Sequence, residues 1–587
     1  MKLRESLTAH PYRILYLAIA FVSIFAGTLM RIAAAYAMPW TVDDLVVPFE
    51  IIYTALGRDN YLTSVLARID SSSNFVTLVT GEGLTAKIAS LAFDLGLLVP
   101  LISIKTYVDL LFSIPSATTF PIAHYPVLVM VGEFCENDCI AFASRLINVV
   151  EFIVIALMTF KALKDLKESD NYIAIHATFL SIFSLSTGAI LYSGQAFPYH
   201  ASYLIFPALM LLFLRPNRFQ YPYRAGFFLG LAFNFSYLSC VFVIAFLLTA
   251  GVSLKRVISL TYMTKFSVVY LLIALPSIYF LIPDIGSAKN WNAGSGDIYL
   301  LTGIGGITKL PYALHELSYA LINPFGETLA GKLFAFSSLL FISVGTIHAF
   351  RSSLLNPIGL FAAISALLYM SLSFAGVISF GPSRHSLIIA PPFLYLGVMG
   401  GHRLFTKALS RMNTLDAGHL LAHAILLCAV SSTLIIVSTL ISKNEIENRM
   451  SSAAGEFSNL LSGLHSPVIV FHAHAFYPAV FLPNYATAHY FSVREGAILF
   501  GLPCMDSISS VVYIEPVDIS TAEKPFITSE LAKIINQTCR NRNYVLDFQR
   551  EFLLGSTHPV SLKTRGLPDW LERMNVIVFK VREVSIN

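Results

Sequence analysis

Two adjacent carboxylates, Asp43 and Asp44, follow the first long apolar segment of the chain, residues 14–38. A carboxylate pair in such a place can act as a general base, bind a divalent cation, or lie in a solvated loop. Which of these applies depends on the elements that position the two side chains.

The composition is that of a membrane protein. Of 587 residues, 56% are hydrophobic and only 13% are charged, and the mean hydropathy is +0.68. A soluble globular protein does not need so apolar a sequence. The net charge is +4, and the Lys and Arg residues are scattered among short loops, which excludes a nucleic-acid-binding surface.

Hydropathy and positive charge together predict eleven membrane crossings with a cytoplasmic N-terminus. We expect these spans to be nearly free of charge. We also expect two short helices within 225–254, because a single crossing there would leave Lys255 and Arg256 outside. The remaining predicted spans are 14–38, 141–163, 173–192, 199–214, 266–285, 330–350, 355–377, 386–402 and 419–441.

This topology places three segments on the outer face. The first is the loop 39–140, in which the apolar stretch 86–114 is predicted to be juxtamembrane or re-entrant, because it contains charges and a proline. The second is the loop 286–329. The third is the region 445–587, which follows a transmembrane domain of residues 1–444.

The C-terminal region is predicted to be a soluble α/β domain. Four stretches have the composition of strands, and residues 529–539, "SELAKIINQTC", are typical of a helix. The region has neither a glycine-rich phosphate loop nor a nucleophile elbow, so we expect it to act as a lid or docking module. The four predicted strands are "SPVIVF", "SVVYIE", "YVLDFQ" and "NVIVFKV".

Cysteine and histidine residues give weaker signals. Four cysteines are predicted to be extracytoplasmic, where they either form disulfides, remain free thiols or bind a metal. His472 and His474 alternate with an alanine, which places them on one face of a strand, but no further ligands are nearby. The four cysteines are Cys135, Cys139, Cys504 and Cys539.

Several motifs resemble, in order and spacing, those of GT-C fold membrane glycosyltransferases, the protein O-mannosyltransferase and aminoarabinose transferase type (glycosyltransferase family 39-like). "WTVDDLVV" matches the acidic pair of the first outer loop, and "FPIAHYPVLVMVGEF" matches a "HPPLYY"-like juxtamembrane helix. "AFASRLINVV" resembles the start of the second span, and "GPSRHSLIIAPPFLYL" resembles an "RY-x-L-x-x-P" segment. The sequence departs from the family in its longer first loop, in Asp-Asp for Asp-Glu, and in His385 for Tyr.

The resemblance implies a glycosyltransferase that moves a sugar from a polyprenyl phosphate to a lipid, glycan or protein acceptor. Asp43 is then the base, and Asp44 is its partner, a ligand for the acceptor or, with Asp43, a ligand for Mg or Mn. No cofactor is certain. Cations would stabilise the departing phosphate, and the candidates are Arg384, Arg145, Lys289 and Lys309. Candidates for acceptor or sugar contacts are His124, Tyr125, His200, His385, Glu133 and Asp138.

Other interpretations of the same residues remain open. Arg384 is either a phosphate ligand or an interfacial arginine that anchors a helix end. The whole chain is either the transferase, a transporter or flippase for a lipid-linked or polar substrate, or a non-catalytic GT-C-like scaffold. We expect a bacterial inner membrane rather than the endoplasmic reticulum, with membrane lipids as neighbours and the C-terminal domain in the periplasm.

Overall fold

The computed structural model describes two groups of segments. The helical segments are 11–37, 137–166, 170–194, 199–214, 221–253, 259–295, 329–352, 356–375 and 387–412, with residue 378. The strand segments are 467–472, 489–494, 497–498, 509–516, 543–555 and 573–584, with residue 464. Residues 11–36 and 144–412 of the first group belong to one compact unit, and the strands belong to another.

Eleven α-helices lie in the described part of the helical segments. A short 3₁₀ turn, Tyr237–Ser239, joins the sixth to the seventh. The helices are α1 (Pro11–Ala37), α2 (Asn137–Lys164), α3 (Asp170–Leu185), α4 (Thr187–Ser193), α5 (Tyr199–Leu214), α6 (Pro222–Phe235), α7 (Cys240–Ser253), α8 (Leu260–Ser295), α9 (Leu329–Arg351), α10 (Pro357–Phe374) and α11 (Ala390–Met412).

The chain is a polytopic helical membrane protein. Four stretches are long and apolar enough to cross a bilayer by length and composition: Arg13–Tyr36, Phe142–Lys164, Leu260–Ile278 and Pro357–Phe374. Large apolar side chains lie exposed on α1, among them Phe21, Val22, Phe25 and Leu29. Such a surface suits lipid and not water.

The predicted spans correspond to helices wherever the structure describes them. Two helices, α6 and α7, occupy the segment 225–254, as predicted, and Ser236 has extended backbone between α6 and the 3₁₀ turn. The predicted span 419–441 lies outside the described residues. The count of eleven crossings therefore stays a prediction.

At two places the helices differ in extent from the predicted spans. The predicted span 173–192 is two helices, α3 and α4, because the helix is interrupted at Ser186. Helix α8 continues past residue 285 to Ser295, so the first part of the predicted loop 286–329 is helical.

Glycines allow close packing between two pairs of helices. Gly226 and Gly230 of α6 lie against the backbone of α8, and a Cβ at either would come within 3.0 Å of α8 atoms. Asn234 of α6 donates to the carbonyl of Ile273 at 2.8 Å, and its Oδ1 accepts from Ser277 at 2.6 Å. In α9 and α11, Gly345 and Gly400 face each other's helix in the same way.

The strands form one six-stranded sheet in the described residues. They are β1 (Pro467–His472), β2 (His489–Arg494), β3 (Ala497–Ile498), β4 (Ser510–Pro516), β5 (Asn543–Gly555) and β6 (Arg573–Val584), in the spatial order β3-β2-β1-β4-β6-β5. β1 runs parallel to β2 and β4, whereas β6 is antiparallel to β4 and β5.

All four strands predicted from sequence are present as β1, β4, β5 and β6. Val512 pairs with Val578 and Tyr513 with Ile577 at the buried centre of the sheet. On the surface, Arg582 donates to Asp547 at 2.9 Å, and this hydrogen bond raises the pKa of Arg582. The predicted helix 529–539 lies outside the described residues, so the α/β class of this region stays a prediction.

Candidate functional site

Helix α1 buries a guanidinium group near its C-terminal end. Arg31 is fully buried, and its Nη1 donates to the carbonyl of Gly27 at 3.1 Å and to the carbonyl of Ser184 in α3. The guanidinium carbon lies 3.7 Å from the centre of the Phe152 ring in α2. The side chain therefore joins three helices.

The approach of α3 to α1 depends on Gly27. A Cβ at this position would meet the Ser184 carbonyl. The missing side chain lets that carbonyl reach Arg31, which lies one turn further along the same face of α1. A small residue thus creates the acceptor that a buried cation needs.

None of the partners of Arg31 among the described residues is a carboxylate. Its Nη2 has no hydrogen-bond partner in the described part of the chain. A guanidinium group stays protonated in proteins, and removing it from water is costly. Carbonyl dipoles and an aromatic face offset part of that cost, but they do not neutralise the positive charge.

Arg145 lies in the same part of the molecule. It is buried in α2, and its Nη1 donates to the carbonyl of Ala35 at 3.1 Å. Ala35 lies one turn beyond Arg31 on α1. One turn further into α2, Asn148 donates to the carbonyl of Ser193 at 3.2 Å and so connects α2 to α4. Two guanidinium groups are therefore buried at the C-terminal end of α1.

His200, in the first turn of α5, completes this group. It is fully buried, and its Nε2 accepts a hydrogen bond from Nε of Arg31 at 3.3 Å. Tyr203, one turn further along, stacks on Phe183 of α3 with 4.6 Å between the ring centres. Arg31, Arg145, Asn148 and His200 form what we call the α1-end cluster.

The α1-end cluster contains two of the residues predicted from sequence, Arg145 and His200. Asp138 lies in the first turn of α2 and Lys289 near the end of α8, but their side chains lie outside the described residues. The other predicted site residues also lie outside the described residues, and their roles stay predictions. They are Asp43, Asp44, His124, Tyr125, Glu133, Lys309, Arg384 and His385.

The expectation that the spans are nearly free of charge was wrong. Arg31, Arg145 and Glu151 are charged-type residues within α1 and α2, and the two arginines are buried. The sequence did contain the signal, since an ionisable residue inside an apolar span marks a candidate functional site by itself. The partners of Arg31 come from α2, α3 and α5, so its contacts could not be predicted from sequence.

A second buried polar group joins α3, α10 and α11. Nδ1 of His176 lies 2.7 Å from the carbonyl of Tyr172, and Nε2 lies 3.1 Å from the hydroxyl of Tyr395. A carbonyl only accepts, so Nδ1 carries the proton and Nε2 accepts from the hydroxyl. Asn356, which caps α10 by accepting from the Gly359 amide at 2.9 Å, lies 3.3 Å from the same hydroxyl.

The described residues contain no group of three or more His, Cys, Asp or Glu side chains that could hold a metal ion. The predicted cation site at Asp43 and Asp44 lies outside those residues. Cys240, at the start of α7, is a free and exposed thiol. The predicted disulfides also lie outside the described side chains.

No protein-family model matches the chain, and no curated protein matches it. Two crystal structures of ArnT from Cupriavidus metallidurans are similar in structure. The one bound to undecaprenyl phosphate covers 97% of this chain and 98% of its own, with 14% sequence identity and a TM-score of 0.45. The one in the apo state covers 98% of each chain, with 12% identity and a TM-score of 0.47.

Proposed function

We propose that this protein is a glycosyltransferase that moves a sugar from a polyprenyl-phosphate donor to an acceptor at the outer face of the membrane. The observation that carries the proposal is the α1-end cluster. Arg145 and His200 were predicted, from separate segments, to contact the donor and the acceptor or sugar. Arg145 contacts Ala35 and His200 contacts Arg31, both near the C-terminal end of α1, the helix that Asp43 and Asp44 follow in sequence.

In this reaction Asp43 takes a proton from the acceptor, whose oxygen or nitrogen attacks the anomeric carbon of the sugar. The bond between that carbon and the phosphate oxygen breaks, and polyprenyl phosphate departs with the bonding electrons. Asp44 supports Asp43 or, together with it, binds a divalent cation. Arg384, Lys289 and Lys309 are the proposed ligands of the departing phosphate.

Arg145 contributes to the same step from inside the bundle. Its Nη1 is bonded to the Ala35 carbonyl of α1, and its guanidinium group is buried, as is that of Arg31. Charges in surroundings of low dielectric act over longer distances than charges in water. The two arginines therefore favour an anionic group at this end of α1, which suits a phosphate-linked lipid.

A transporter or flippase of a lipid-linked sugar is the second candidate. Buried charges within spans are typical of substrate pathways, and the buried Arg31 adds an observation in favour of this class. The two candidates differ in one chemical respect. A flippase moves the donor intact, whereas a transferase breaks the bond between sugar and phosphate.

The test is transfer activity in membranes supplied with a polyprenyl-phosphate sugar. We expect Asp43→Asn to lower the rate by about 10²- to 10⁴-fold, because the amide cannot accept the proton. The matched control is Asp165→Asn, which changes an exposed carboxylate just after α2 and should leave the rate near that of the wild type. Full activity of a normally expressed Asp43→Asn protein contradicts the assignment.

A further inference from the structure

The contact between Arg31 and His200 determines where the histidine carries its proton. Nε of arginine always bears a hydrogen and can only donate. The nitrogen that receives this bond, Nε2 of His200 at 3.3 Å, therefore has no proton of its own. A neutral imidazole whose Nε2 lone pair accepts a hydrogen bond carries its proton on Nδ1.

A proton on Nε2 of His200 does not fit this contact. It would direct a second N–H at the Nε–H group of Arg31, and neither group could accept. Both side chains are fully buried, and the two nitrogens are in direct contact.

Arg31 is itself held in position. The Gly27 and Ser184 carbonyls bind Nη1, and the Phe152 ring covers the guanidinium plane. With these contacts in place, Nε points at α5. Arg31 therefore acts on His200 with a fixed direction and a permanent charge.

We infer that Arg31 is a positioning residue that holds His200 as the neutral tautomer with its proton on Nδ1. In this tautomer, His200 can donate a hydrogen bond from Nδ1, and the lone pair of Nε2 is occupied by the Nε–H group of Arg31. The partner of Nδ1 must then be an acceptor, such as a sugar hydroxyl or phosphate oxygen. This last step rests on the proposed function, whereas the tautomer itself does not.

The tautomer can be observed directly by solid-state NMR of the full-length protein in lipid bilayers, with ¹⁵N-labelled histidine at neutral pH. The His200→Asn spectrum identifies the His200 signals by subtraction. We expect a protonated Nδ1 and an unprotonated Nε2 in the wild type. We expect Arg31→Met to change this pattern, because an apolar side chain no longer donates to Nε2.

The matched control is Arg13→Met, which changes an arginine at the other end of α1 that also donates to backbone carbonyls, those of Lys164 and Leu166. This variant should keep the wild-type histidine pattern. A protonated Nε2 in the wild type overturns the inference, and so does an unchanged pattern in Arg31→Met. If Arg31→Met does not fold, the wild-type spectrum still decides.

The consequence for activity is tested with two substitutions of His200. In His200→Asn the side-chain amide nitrogen can replace the donor at Nδ1, whereas in His200→Gln the longer side chain can replace the acceptor at Nε2. We expect kcat/KM of His200→Gln to be about tenfold lower than that of His200→Asn, which is the effect of one lost hydrogen bond. The reverse order contradicts the donor role and leaves the NMR result and the assignment of Asp43 unaffected.

Discussion

Arg31 is a buried positive charge that the helices accommodate with dipoles and an aromatic ring. Its acceptors are two backbone carbonyls and one imidazole nitrogen, and Phe152 covers its plane. Such a residue is expensive to retain in a membrane helix, since Leu or Met would fill a similar volume without any charge. We therefore interpret it as part of the function and not of the packing alone.

The second buried polar group, around Tyr395, has the character of a structural contact. The Tyr395 hydroxyl of α11 forms a hydrogen bond with His176 of α3 and lies next to Asn356, the N-cap of α10, so the group links three helices. Its polar contacts are made among the three side chains, with backbone groups and with the sulfur of Met399. We expect its loss to lower stability and to leave the chemistry unchanged.

At the scale of one residue, Tyr395→Phe is expected to lower the free energy of unfolding by about 1–3 kcal/mol, because Nε2 of His176 loses its donor while buried. Thermal unfolding in detergent measures the effect. The control Tyr223→Phe removes the hydroxyl of an exposed ring that contacts Lys265 through its face, and it should be close to neutral. Equal stability of both variants would refute the role given to Tyr395.

Helices α9 and α11 are an element pair whose distance is set by glycine. A Cβ on Gly345 would meet the Leu396 carbonyl, and one on Gly400 would meet the Phe341 carbonyl. Backbone atoms cannot move aside as a flexible side chain can. One turn beyond this contact, Nη1 of Arg403 lies 2.7 Å from Nδ1 of His348.

At the scale of elements, Gly345→Ala is expected to separate α9 from α11 and to destabilise the protein by about 1–3 kcal/mol. Gly401→Ala is the matched control, because its nearest neighbour, a Phe405 carbon, would lie 3.8 Å from the new Cβ. Alanine is the better helix former, so the control should stabilise by up to about 1 kcal/mol. Melting curves of both variants in one detergent measure these changes. A Gly345→Ala protein as stable as the wild type contradicts the close contact between α9 and α11.

The helices could largely be predicted from sequence because apolar length is a local property. The pair α6 and α7 could be predicted because a single crossing would leave two positive charges, Lys255 and Arg256, on the outer side of the membrane. The interruption at Ser186 was missed because the apolar run continues across it. Strands β2 and β3 were missed because their residues, such as "HYFSVR", lack a regular apolar alternation, and their partners lie far away in sequence.

Across the whole molecule, the sequence and the structure revealed different residues of the proposed site. Motifs in order along the chain suggested the class of reaction and the acidic pair. The structure added Arg31, which no motif included, and showed that His200 contacts Arg31 and that Arg145 contacts Ala35 near the same end of α1. Helix contacts between distant segments determine that cluster, so local patterns could not predict it.

The central claim is that the protein breaks the bond between a sugar and a polyprenyl phosphate. The most direct measurement uses purified wild-type protein in liposomes with a labelled donor and a mixture of envelope lipid, glycan and protein acceptors. We predict that free polyprenyl phosphate and transferred sugar appear in equal amounts, and that neither appears with Asp43→Asn. Movement of the intact donor across the bilayer, with no free polyprenyl phosphate released, would contradict the account and favour a flippase.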